Sequence, residues 1–143
     1  MRVAFVSLNR EDMPDAVVPL GLLYVEAATP ARHDRVVWDL CFEPEPLRAL
    51  QVRAREWRPD VVAMGLRNIQ NNDYSGIADN VAYYRRAVEA VREVTDAPIV
   101  LGGGGFSVIP EKLLSHLGAD YGITGEGEEA FAQLLEVLEV LEE

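Results

Sequence analysis

The sequence predicts an α/β domain of three layers, built on a five-stranded parallel sheet of order 2-1-3-4-5. Three observations predict it. Short apolar runs alternate with stretches of helical periodicity five times along the chain. The runs are near-continuously apolar, as strands covered on both faces must be. The long or glycine-rich connections all follow runs, whereas connections leading into them are short, as in "RPD" (58–60) and "GAD" (118–120).

The strands are expected at "VAFVSL" (3–8), "RVVWDL" (35–40), "DVVAMGL" (60–66), "PIVLG" (98–102) and "DYGIT" (120–124). The first helix is expected over 20–28, ending before Pro30. It is apolar nearly all round and so is expected to pack deeply. Leu47, Leu50, Ala54 and Trp57 recur at helical spacing, with Pro59 as a stop. Ile77, Val81, Tyr84, Val88, Val91 and Val94 form a third helical stripe. Pro110 suits a first helical position, and Gly118 suits the end of that helix. Phe131, Leu134, Leu135, Leu138 and Leu141 mark the last helix. Together these give a flavodoxin-like, Rossmann-like arrangement.

Composition narrows the function. The 143 residues suit one domain, with 49% apolar residues to fill its core. A net charge of -11, from 13 basic and 24 acidic residues, disfavours nucleic acid and anionic membranes as partners. The apolar start "VAFVS" is too short for a signal peptide or a membrane span, which reads as cytoplasmic. The single cysteine, Cys41, excludes an internal disulfide or a multi-cysteine metal site.

Ligands of such sheets bind outside the carboxyl ends of the strands. Four loops gather there: 9–21, 67–76, 102–110 and 125–129. The segment "GGGGFSVIP" stands out. Glycines permit close backbone approach, and Phe106, Val108 and Ile109 are expected to add apolar surface. A broad shelf of this kind suits a large, flat, amphipathic cofactor better than a lone phosphate. Asn68, Asn71 and Asn72 are turn formers or ligand contacts, and Tyr74 covers a ligand or caps its own loop.

The pieces "VPLGLLYVEAA", "PDVVAMGLRN", "IVLGGGGFSVIPEKLL" and "ADYGITGEGEEAFAQLL", in this order, resemble the N-terminal cobalamin (vitamin B12)-binding domain of B12-dependent radical SAM proteins. The resemblance covers almost the whole chain and implies one cobalamin-binding domain over 1–143, excised from a longer protein or partnered by a separate chain. It implies a cofactor site at Asn9, Pro19, Leu20, Gly21, Arg67, Asn68, Gly102, Gly103, Gly104, Gly105, Phe106, Ser107, Ile109, Gly125, Glu126, Gly127 and Glu128. Cobalamin, as methylcobalamin or hydroxocobalamin, would then carry a methyl group for a radical SAM methyltransferase. S-adenosylmethionine and a [4Fe–4S] cluster would belong to the catalytic domain, in cis or in trans, because one cysteine cannot supply the three-cysteine cluster motif.

Two departures from related domains matter. The Asp-x-His-x-x-Gly motif, whose histidine ligates cobalt, is missing. The two histidines are His33, before the second strand, and His116, within the fourth helix. The expected cofactor is therefore base-off, with no protein ligand to cobalt. Gly65 stands where many relatives place Ser, so a hydroxyl contact to the nucleotide tail is missing. Arg67 ends the third strand, and its guanidinium has no lone pair for a metal. Placed under the corrin, it would discourage a ligand from binding cobalt. Two other readings stay open on the sequence: a flavodoxin-like module for another nucleotide such as FMN, and a cofactor-free interaction domain.

Overall fold

A computed structural model of the chain describes residues 1–12, 14–69 and 80–143. Asn71, Asn72, Tyr74 and Ile77 lie outside the described residues. The elements run β1 (Arg2–Ser7), α1 (Leu20–Ala28), β2 (Asp34–Asp39), α2 (Pro46–Trp57), β3 (Val61–Gly65), α3 (Asn80–Arg92), β4 (Ile99–Gly102), a 3-10 turn (Phe106–Val108), α4 (Pro110–Leu117), β5 (Tyr121–Gly122) and α5 (Glu128–Glu142). The strands form one parallel sheet of order β2-β1-β3-β4-β5, as expected.

The short connections at the amino ends of the strands help set the register. Asp60 accepts the Arg2 N–H on its carboxylate at 2.7 Å and donates its own N–H to the Arg2 carbonyl at 2.7 Å. Asp120 does the same between β4 and β5: its carboxylate takes the Ile99 N–H at 2.7 Å, and its N–H reaches the Ile99 carbonyl at 3.0 Å. In both places a side chain at the residue just before a strand, β3 or β5, takes up the neighbouring N–H, and no orphan donor is left at those positions.

Strand periodicity sends alternate residues to opposite faces of the sheet. Ala4, Val6, Val62, Met64, Ile99 and Leu101 pack with Leu50 and Ala54 of α2, Tyr84, Val88 and Val91 of α3, and Leu113 and Leu117 of α4. Val3, Phe5, Val61, Ala63 and Val100 face the other way, against Phe131, Leu135 and Leu138 of α5. Phe5 meets Phe131 edge-on, with ring centroids 5.5 Å apart. Trp38 and Trp57 form a second edge-to-face pair under the first of these faces.

One expectation is corrected here. α1, apolar nearly all round, contributes no buried residue. Leu22 and Val25 only flank the second core, while Leu20 and Tyr24 are each 57% exposed. The reason is geometric: the space between α1 and the sheet is open. β5 is also shorter than the run at 120–124 suggests, because only Tyr121 and Gly122 pair with β4.

Candidate functional site

The open space is a cavity of about 410 Å³ at the carboxyl ends of the strands, between the sheet and helices α1 and α5. Its floor is formed by the last residues of β3 and β4. Along β3, the residues facing this side are Val61, Ala63 and Gly65, which shrink toward the carboxyl end. Gly65 lies opposite Gly102 in the β3–β4 register. A Cβ at Gly102 would meet only the Ile123 carbonyl oxygen, at 3.8 Å. A Cβ at Gly65 would meet nothing closer than the Leu22 side chain, from 3.5 Å outward. Neither contact is crowded, so packing within the protein does not demand glycine at either position. What the two absent side chains leave is room.

The other two glycines of interest answer to the backbone. Gly103 has φ +101°, and a Cβ there would lie 2.6 Å from the Leu66 carbonyl oxygen. At Gly105 a Cβ would press on the Arg67 and Asn68 main chain at 3.0 Å. The turn is fastened to the exit of β3: Leu66 N–H donates to the Gly102 carbonyl at 2.8 Å, and Gly105 N–H to the Leu66 carbonyl at 2.9 Å. The glycine run is therefore divided, with Gly102 holding space open and Gly103 and Gly105 allowing two backbones to touch.

Of the residues expected at the site, Gly21, Gly102, Gly103, Gly104 and Ser107 line the cavity, as do Gly125, Glu126, Gly127 and Glu128. Ser107 ties two of its walls together. Its hydroxyl donates to the Gly103 carbonyl at 3.1 Å and accepts the Gly125 N–H at 2.9 Å. Pro19, Leu20 and Ile109 stand on the same rim outside the cavity lining. Gly105 and Phe106 are buried beneath the turn. The Phe106 ring takes the place a side chain at Gly122 would need, with ring atoms 2.3 Å from a Cβ built there. The expected apolar surface after the glycines is thus supplied by Val108 and Ile109, which are exposed, and not by Phe106.

Asn9, Arg67 and Asn68 gather beside the cavity, toward α3. The Asn9 side chain closes its own loop through Glu11, accepting the Glu11 N–H and donating to the Glu11 carbonyl. Asn68 donates its amide to the Glu11 carboxylate at 2.9 Å and accepts the Tyr84 hydroxyl on its carbonyl. Burial pushes the Tyr84 phenol up to about 12, so it stays a donor throughout the working pH range. Arg67 is exposed, with no ion pair among the described residues. Cys41, also on this rim, is buried, and its thiol pKa is raised by desolvation and by the carboxylates of Asp39 and Asp12, which fits a packing role.

Neither histidine approaches the cavity. His33 is buried at the opposite end of the sheet, 3.2 Å from the Met1 amino group and 3.6 Å from Glu139. His116 lies in the last turn of α4. No cluster of metal-ligating side chains occurs among the described residues, and no helix among them is long and apolar enough to cross a membrane.

Gly65, where the sequence places a missing hydroxyl contact, also lines the cavity, whereas Leu22, Val25, Ala63, Met64, Val100, Leu101, Ile123 and Phe131 line it without being expected as site residues. Their signal lay in strand alternation combined with side-chain size, as in the Val61, Ala63, Gly65 series.

Comparison with known proteins shows which family the chain belongs to. The family profile described as the B12 binding domain matches residues 9–135. The chain belongs to the B12-binding domain family. Among curated proteins, the B12-binding domain is 31% identical over 137 residues to tryptophan 2-C-methyltransferase of Streptomyces laurentii, covering 95% of this chain and 23% of that protein. Among solved structures, it superimposes with a TM-score of 0.87 and 28% identity on TsrM of Kitasatospora setae, a radical S-adenosylmethionine methyltransferase, covering 96% of this chain. That structure holds tryptophan and a SAM analogue, and a second structure of the same protein, with the same TM-score, holds cobalamin and a [4Fe–4S] cluster. The chain spans 26% and 24% of the length of those two structures.

Proposed function

We propose that this B12-binding domain holds cobalamin with its lower base detached and with no histidine on cobalt, as the methyl carrier of a radical SAM methyltransferase. The observation that carries the proposal is the floor of paired glycines, Gly65 and Gly102, where nothing in the protein requires the absence of a side chain. The placement of both histidines away from the cavity supports the absence of a histidine ligand to cobalt. The chemistry the group supplies when bound is carriage of a methyl group at cobalt, between S-adenosylmethionine and a substrate.

The chain's own residues bind and orient. Gly102 to Gly104 and the loop from Gly125 to Glu128 form facing walls, spaced by Ser107. Gly21 and the α1 residues behind it close the third side. Pro19, Leu20, Gly105, Phe106 and Ile109 support these walls from the rim and from below. Asn9 and Asn68, joined through Glu11, hold the loops after β1 and β3 in one arrangement and so place Arg67. With Cys41 as its one cysteine, the chain leaves S-adenosylmethionine and the [4Fe–4S] cluster to a catalytic domain in cis or in trans. Cytoplasmic location is part of the same reading.

The test is direct. The purified chain is mixed with hydroxocobalamin, desalted, and its visible spectrum recorded. A retained corrin band of base-off type is the expected result. A yellow flavin spectrum from the protein as purified, or no retained colour, rejects the proposal.

Arg67 gives a second test. Its charged, ligand-poor head is read as guarding the lower face of cobalt against water. Arg67→Ala is expected to shift the bound cobalamin spectrum toward a water-ligated form and to make reduction harder. An unchanged spectrum and midpoint would remove that role while leaving binding intact.

A further inference from the structure

The inner wall of the cavity carries only apolar side chains: Leu22 and Val25 from α1, Ala63 and Val100 from the sheet, and Ile123 and Phe131 beyond them. Side-chain oxygen is confined to the mouth, at Ser107, Glu126 and Glu128. The Ser107 hydroxyl is already engaged at both ends, with Gly103 and Gly125. Gly65, on the floor, adds no side chain, and its carbonyl accepts the Leu8 N–H.

We infer that this domain selects among corrinoids by their lower base, taking dimethylbenzimidazole in preference to a purine such as adenine. The inference rests on the cobalamin reading above. A cavity of about 410 Å³ walled by two helices and a sheet face admits a flat ring system and its linker, not a corrin macrocycle, so the nucleotide end is the part that enters. Dimethylbenzimidazole detached from cobalt offers a benzo ring, two methyl groups and one free ring nitrogen. Adenine offers an exocyclic amine and several ring nitrogens, each hydrated in water. The inner side chains have nothing to exchange for that hydration, and each polar atom buried without a partner weakens binding by about tenfold.

Equilibrium dialysis of the purified chain against hydroxocobalamin, and against the cobamide carrying adenine in its place, measures the preference. Cobalamin is expected to bind at least about tenfold more tightly. Adenine detaches from cobalt more readily than dimethylbenzimidazole, so the preference is read against that bias. Val25→Thr sets a hydroxyl on the half-buried α1 wall, and Val100→Thr sets one on the sheet wall. Either is expected to reduce the ratio severalfold by giving the purine a partner. Equal affinity for the two cobamides, or a ratio that neither variant moves, overturns base selection and leaves cobalamin binding standing. Retention of neither cobamide overturns the cobalamin reading, and base selection with it.

Discussion

Gly102→Val is expected to abolish cobalamin retention while making the protein slightly more stable. A Cβ at this position meets nothing closer than the Ile123 carbonyl oxygen at 3.8 Å, so the isopropyl group enters the cavity without a clash in the ligand-free fold. Valine also favours a strand, where glycine costs about 0.5–1 kcal/mol through its larger loss of backbone freedom. The volume it fills belongs to the ligand. Binding is expected to fall by at least about a hundredfold, roughly 2.8 kcal/mol. The measurements are the urea midpoint of the ligand-free chain and the colour retained after desalting with hydroxocobalamin. If cobalamin still bound at the original strength, the glycine floor would not be its seat. The opposite signs of the two effects distinguish occlusion from unfolding.

Gly103→Ala should do the reverse. At φ +101° an alanine is strained, and its Cβ would lie 2.6 Å from the Leu66 carbonyl oxygen. That oxygen is main chain and accepts the Gly105 N–H, so it cannot retreat without breaking the turn's attachment to β3. Strain and overpacking together are expected to cost about 3 kcal/mol of folding free energy. Gly104→Ala is the control, because its Cβ would meet the Arg67 carbonyl at an ordinary 3.7 Å. Denaturant unfolding of the two variants should separate them by more than about 2 kcal/mol. Similar midpoints would show that the turn can rearrange around a side chain.

These neighbouring glycines mark where the sequence was legible and where it was not. The alternation of strands and helices and the bounds of α1 follow from periodicity and from Pro30, because those signals are local, and the sheet order follows only from the fold class that this alternation implies. The gathering of Gly102 to Gly104 with the loop from Gly125 to Glu128 follows from topology, which brings the ends of adjacent strands to one rim. The division of labour within the glycine run depends on what each missing Cβ would face, and that is tertiary. So is the inward turn of Phe106, set by the space at Gly122 on a strand outside its own loop. The shallow seat of α1 was misread for a related reason. Apolar composition on every side signals contact, but it does not say whether the contact is with protein or with a ligand.

That seat has a consequence for the protein's lifetime. A helix with no buried side chain is held to the domain by little beyond its two ends and its half-buried residues. It is the element expected to open first, exposing its peptide bonds to proteases. A ligand filling the gap beneath it would raise the cost of that opening in proportion to the logarithm of its concentration. Cellular corrinoid supply would then govern how much of the protein survives as well as how much of it is loaded.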